Sequence, residues 1–222
     1  AAVAAAVIAA AAAGQWLGRT AGSTRAERRR VLPFDDLLPT PNVVTDHTVT
    51  IPAAPAEVWP WLTQMGWHRA GWYTYHWVDQ LLFPRNWPSA DRLEPALQRQ
   101  FEIGDHIPDG PSGAAYFVVL HVDEPNVLVL RSRTHVPASL RARFGVNLDW
   151  QWTFSLEGFD GGTRLHLRTR GRTAPFWLTA GYVAALVPAD FVMASGMLRG
   201  IRDRVIRQLN APTDTPDRTI EP

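Results

Sequence analysis

"VNLDWQWTFSLEGFDGGTRLHLRTRGR", Val146 to Arg172, alternates in two runs around a glycine turn. In the first run Leu148, Trp150, Trp152, Phe154 and Leu156 share one face, and Asn147, Asp149, Gln151, Thr153 and Ser155 the other. After "FDGG", Leu165, Leu167 and Thr169 oppose Arg164, His166, Arg168, Arg170 and Arg172. A period of two over such lengths predicts strands, and the Gly-Gly turn predicts an antiparallel hairpin. One face should be buried and the other, with its arginines, solvated.

Outward from the hairpin, "VVTDHTVTIPA" (43–53) alternates in the same way, with Val43, Thr45, His47, Val49 and Ile51 on one side. "PAEVWPWLTQ" follows as a short helix: Pro55 suits a first turn, Glu57 sits near the positive helix end, and Pro60 limits the length. "GWYTYHWVDQLL" (71–82) reads as a second short helix, with Trp72, Tyr75, Asp79 and Leu82 on one side and Tyr73, Trp77 and Leu81 on another. "AAYFVVLHVDEP" and "NVLVLRSRTHV" make a second hairpin around Glu124-Pro125-Asn126. The last element is a helix from about Pro188 to Leu209, striped by Phe191, Leu198, Ile201, Val205 and Leu209. Ser195, Gly196 and Gly200 let another backbone or a ligand approach it closely. The order predicts an α+β helix-grip fold: a curved antiparallel β-sheet wrapped around a long C-terminal helix, with two short helices after the first strand. Such a sheet encloses space unless side chains fill it.

Composition narrows the function classes. The chain has 222 residues, 46% hydrophobic, with a formal charge of +1, which makes no electrostatic case for nucleic acid. All 22 basic residues are arginine, a bias of coding composition that carries no functional reading. There is no cysteine, so no disulfide or thiolate chemistry. The seven histidines are scattered without metal spacing, and phosphate-loop, dinucleotide, zinc-protease and nucleophile-elbow motifs are absent. No metal and no cofactor are expected. Ten tryptophans demand an aromatic core or an aromatic cavity wall.

The chain opens on an apolar segment (1–18) whose run Ala1–Ala13 would span about 20 Å as a helix, against about 30 Å for a bilayer core. Arg19, Arg25 and Arg28–Arg30 follow, which favours a cytoplasmic side. The end of a membrane anchor, an export-signal remnant and an Ala-rich tail helix all fit; the anchor, with the domain in the cytoplasm, leads. Residues 19–42 read as a linker, 43–210 as the ligand-binding domain and 211–222 as a disordered tail.

"TVTIPAAPAEVWPWLTQMG" (48–66), "GWYTYHWVDQLL", "IGDHIP" (103–108), "WQWTFSLEGFDGGTRLHLRTR" (150–170) and "FVMASGMLRGIRDR" (191–204) together resemble the START-like, pollen-allergen-like superfamily called SRPBCC. That group includes polyketide cyclases and lipid-transfer proteins. The resemblance is closest to uncharacterised bacterial members, in which a segment like "GWYSYDWLENLL" is usual. This chain departs from it at His76, where Asp is expected, and at Gln80, where Asn is expected. The resemblance implies a deep, mostly apolar cavity between sheet and terminal helix.

The expected ligand is therefore an apolar small molecule, lipid or polyketide-like. Trp72, Tyr75, His76, Asp79, Trp150, Trp152 and Met197 are the candidate wall residues. Arg131 joins them: an arginine on a hairpin strand, if turned inward, would meet a carboxylate or phosphate head. The alternative is a cyclase or dehydratase using His76 and Asp79, three apart on a helix, with Tyr75. A further alternative is a scaffold with a filled cavity. The apolar stretch 174–188 suits a lid, an interfacial helix or core.

Overall fold

Six strands form one antiparallel sheet in the order β1-β6-β5-β4-β3-β2 in a computed structural model that describes residues 2–82 and 88–211. The elements in chain order are α1 (Ala2–Thr20), α2 (Arg25–Arg29), β1 (Val43–Ile51), α3 (Pro55–Thr63), α4 (His76–Leu82), β2 (His106–Pro108), β3 (Tyr116–Asp123), β4 (Val127–Ser132), α5 (Ala138–Phe144), β5 (Asn147–Phe159), β6 (Gly162–Ala174), α6 (Phe176–Gly181) and α7 (Val187–Leu209). A π-helical turn, Tyr182–Leu186, joins α6 to α7. Ala1 and the tail from 212 onward, part of the expected end segments, lie outside the described residues.

The alternating hairpin becomes β5 and β6, with Phe154 opposite Leu167 and Leu156 opposite Leu165. Gly161 turns the chain at φ 101°, a left-handed conformation that side chains resist. On the other flank of β6, Val49 of β1 faces Leu165. These residues meet Leu198, Ile201 and Val205 of α7 and Trp61 and Leu62 of α3 in one core. The chain is thus α+β, with the helix-grip arrangement expected from its patterning. β1, α3 and α7 fall close to their expected bounds.

Three expectations fail. First, the opposite face of the hairpin is not solvated: Gln151, Thr153, His166 and Arg168 are buried, and of the alternating β6 basic residues only Arg172 is exposed. The cause is the second correction, because residues 19–42 are no spacer. They lie as a strap over that face, with α2 capped by Thr24 and Glu27 and a short turn at Asp35–Leu37. Arg168 places its guanidinium among the Asp46 and Asp35 carboxylates, at 2.8 and 2.7 Å, and the carbonyls of Glu27, Arg28 and Arg30. Arg164 forks onto Glu27 at 2.7 and 3.1 Å, and Arg170 donates to the Leu38 carbonyl. Charged side chains tolerate burial only when paired in this way.

Third, helix in the aromatic stretch begins only at His76. Residues 72–75 adopt no regular structure and Tyr73 has φ 58°. Tertiary contacts impose this. The Tyr73 hydroxyl donates to the Trp61 carbonyl and accepts from Gln64, while a β-carbon at Gly200 would overlap the Tyr73 carbonyl oxygen. The small residues of α7, Gly196 and Gly200, admit this irregular segment.

Candidate functional site

Between the sheet's inner face and α7 lies a cavity of about 370 Å³. β5 supplies Leu148, Trp150 and Trp152, β3 supplies Phe117, and α7 supplies Asp190, Met193, Ala194 and Met197. Trp72 completes the wall from the irregular segment before α4. The rings lock one another: Trp152 stacks on Phe117 at 4.5 Å and meets Trp72 edge-on at 5.6 Å. Leu178 of α6, with Tyr182 and Leu186 of the π-helical turn, forms the roof. The stretch 174–188 thus covers the cavity as a lid would, while its Tyr182 and Val187 are also core, packed with Val43.

Four of the sequence candidates line this space: Trp72, Trp150, Trp152 and Met197. The other four do not. Arg131 sits opposite Gln151 on the strap-side face and forks onto Asp149 at 2.7 and 2.6 Å, with Arg133 beside it at 2.9 Å. Its charge is met by protein, so it offers nothing to a ligand head. Tyr75 lies against Gly196 and accepts a hydrogen bond from Arg199 at 3.1 Å. Asp79 is buried but taken up by the hydroxyls of Thr74 and Ser89. His76 is exposed and lies 2.9 Å from the Gln80 amide nitrogen. His76 and Gln80, the two departures named above, are therefore each other's partners, one helical turn apart. His76, Asp79 and Tyr75 form no common site.

Two polar clusters on the cavity wall escaped the sequence reading. In one, His135 Nε2 lies 2.7 Å from Asp109 and Nδ1 lies 2.7 Å from the Ser132 hydroxyl. Both ring nitrogens are engaged, so the imidazole holds Asp109 in place rather than facing a ligand with a free nitrogen. Ser132 is buried, is also bonded to Thr134, and is not a lining residue.

The other cluster is Asp190. It accepts from the Thr45 hydroxyl at 2.9 Å, and His47 stands 3.8 Å away. Burial pushes the Asp190 carboxyl up to about 7 and pulls His47 down to about 4, so the imidazole is neutral near pH 7. Burial also raises the Tyr182 phenol, with the Asp190 charge adding to it. The helical period could have flagged Asp190. It lies four residues before buried Ala194 and seven before buried Met197, on the inward stripe of α7. Among the described residues, no group of three metal-ligating side chains comes together.

No family model matches the chain, and no curated protein does. Solved structures do. Protein MLL2253 from Mesorhizobium loti is 17% identical, covering 74% of this chain and 98% of its own, with a TM-score of 0.42. A polyketide-cyclase-like protein from Corynebacterium glutamicum is 12% identical, covering 75% and 93%, at 0.42. Ara h 8.0201 is 14% identical, covering 74% and 98%, at 0.39. The fold assignment rests on the chain's own strand order and terminal helix: it is an α+β helix-grip domain with an aromatic-walled cavity.

Proposed function

We propose that this protein binds an apolar small molecule, lipid or polyketide-like, in the cavity between sheet and α7, held at a membrane by α1. The cavity itself carries the reading: its size lies within the range of small-molecule sites and its wall is mostly apolar. Burying ligand surface there contributes about 25 cal/mol per Å².

The membrane part rests on how α1 meets the roof. This helix has 19 residues, a length of about 28 Å, and its first twelve residues are all exposed. Its far end docks beside the lid. Gln15 donates to the Val183 carbonyl, and a β-carbon at Gly18 would overlap the Val187 carbonyl oxygen. Phe176 and Trp177 of the lid point outward, 83% and 50% exposed. A second segment, Phe176–Leu209, is also apolar enough to cross a bilayer, but it is the lid and the gripping helix, with Leu198, Ile201 and Val205 in the core. An anchored α1 brings the lid to the bilayer surface, and the arginines after it favour the cytoplasmic side. Tyr75, His76 and Asp79 stand outside the cavity, which leaves the cyclase reading without its acid–base groups.

Native mass spectrometry of the protein taken from its host membranes tests this. An apolar adduct is expected, and it should vanish in Ala194→Trp, which fills the cavity. Repeated absence of any adduct, or an adduct that survives the filling, would defeat the proposal, as would recovery of the whole protein in a membrane-free fraction.

A further inference from the structure

We infer that Asp190 is the recognition group of the cavity, and that the ligand it selects carries a positively charged amine on an apolar body. The inference rests on the cavity being a ligand site and adds the chemistry of the head group.

The other well-buried acids have strong partners. Asp46 meets His166 and Arg168, Asp79 meets two hydroxyls, and Asp109 meets His135. Asp190 lines the cavity with its side chain 16% accessible and, among the described residues, holds a single hydrogen bond, from Thr45. Among the described residues no arginine stands within ion-pair distance of it. The groups that face it are His47 from β1 and Tyr182 from the roof. Both are held neutral by burial, and Arg19 on the docked end of α1 is turned to the Val44 carbonyl.

A carboxylate in such a place costs free energy until a cation or further donors reach it. A ligand ammonium would supply the missing charge. The rings of Trp150 and Tyr182, edge to face at 4.9 Å on the same wall, add a surface that attracts cations. An anionic head would meet the opposite: among the described residues the wall carries Asp109 and Asp190 and no arginine.

Three probes of matched shape separate these outcomes: 4-phenylbutylamine, 4-phenylbutanol and 4-phenylbutyrate. They are titrated against the full chain in phosphatidylcholine nanodiscs, with empty nanodiscs subtracted. Tryptophan fluorescence reports occupancy because Trp72, Trp150 and Trp152 line the cavity. At pH 8 the amine should half-saturate at a concentration about tenfold below the alcohol, with the carboxylate weakest. In Asp190→Asn the amine should fall to the level of the alcohol, whose own binding stays within about twofold. In the native chain the amine's advantage should also disappear at pH 5.5, where Asp190 is protonated, so the idea is testable even if the variant does not fold. Alcohol binding with no amine preference, or a preference that persists in Asp190→Asn and so belongs to Asp109, overturns the inference and leaves the cavity reading standing. Binding of none of the three overturns both.

Discussion

Arg168 and Asp190 are ionisable groups on opposite faces of the same sheet, and they are buried by opposite means. Around Arg168 all five guanidinium N–H groups have partners, supplied by Asp46 within the sheet and by the strap. Around Asp190 there is one hydroxyl, a neutral imidazole and open cavity. The strap side is a closed polar network whose charges hold the fold together. The cavity side leaves one carboxyl without a charged partner among the described residues, and a buried carboxyl in that state marks a candidate place for a ligand.

The sharpest way to break this contrast is Arg168→Ala. It takes the nearest arginine from Asp46 and Asp35 and loosens the strap, and should destabilise by about 3–5 kcal/mol, read as a lower urea midpoint. A cost below about 1 kcal/mol would show that the network is not what holds the strap.

Asp190→Asn should act in the reverse sense. The folded carboxyl titrates near 7, above its value of 3.8 when free, so the folded state holds the extra proton. Its contribution is full below the free value and is lost as pH rises through 7. The variant should therefore be more stable than the native chain at pH 8, by roughly 1–3 kcal/mol, and no more stable at pH 4. Thermal melts at the two pH values decide it; equal stability at pH 8 would mean that the acid carries no strain.

Glu27 sharpens the strap side more gently. Hydrogen bonding to Arg164 lowers its carboxyl from 4.5 to about 2. Its stabilisation is present above pH 4.5 and fades as pH falls toward 2. Because solvent screens the pair, Glu27→Gln should cost less than about 1 kcal/mol at pH 6, and the cost should shrink by pH 3. A cost that grows with acid would contradict the sign. Smallest of all is His76→Ala, which should move stability by less than about 0.5 kcal/mol and leave probe binding unchanged. A marked loss of probe binding would return His76 to the site.

Alternation between Asn147 and Ala174 revealed both strands of the central hairpin, because a period of two survives in any context. The same alternation misjudged the strap side. Arg164, His166, Arg168 and Arg170 look solvated when read locally, since their partners Glu27, Asp35 and Leu38 lie more than 100 residues away in the chain. Residues 19–42 misled for the same reason: arginine and proline suggest a spacer until Glu27, Arg30 and Asp35 are found paired with Arg164, Glu157 and Arg168. The wall residues Trp150, Trp152 and Met197 were legible because aromatic and apolar side chains on an inward face must cover something. Asp190 was overlooked as a first-turn acid on a helix whose apolar stripe it shares.

For this protein, local periodicity and turn chemistry by themselves determined the α+β order, the inward face of the hairpin and the gripping helix. Those properties depend on neighbours within a few residues. Only the tertiary structure decided that the opposite face is sealed, that His76 looks outward and that Asp190 stands unpaired in the cavity. Pairing of buried charges is settled by groups that meet only after the chain has folded, and the free energy of a charge depends on what surrounds it rather than on its place in the sequence.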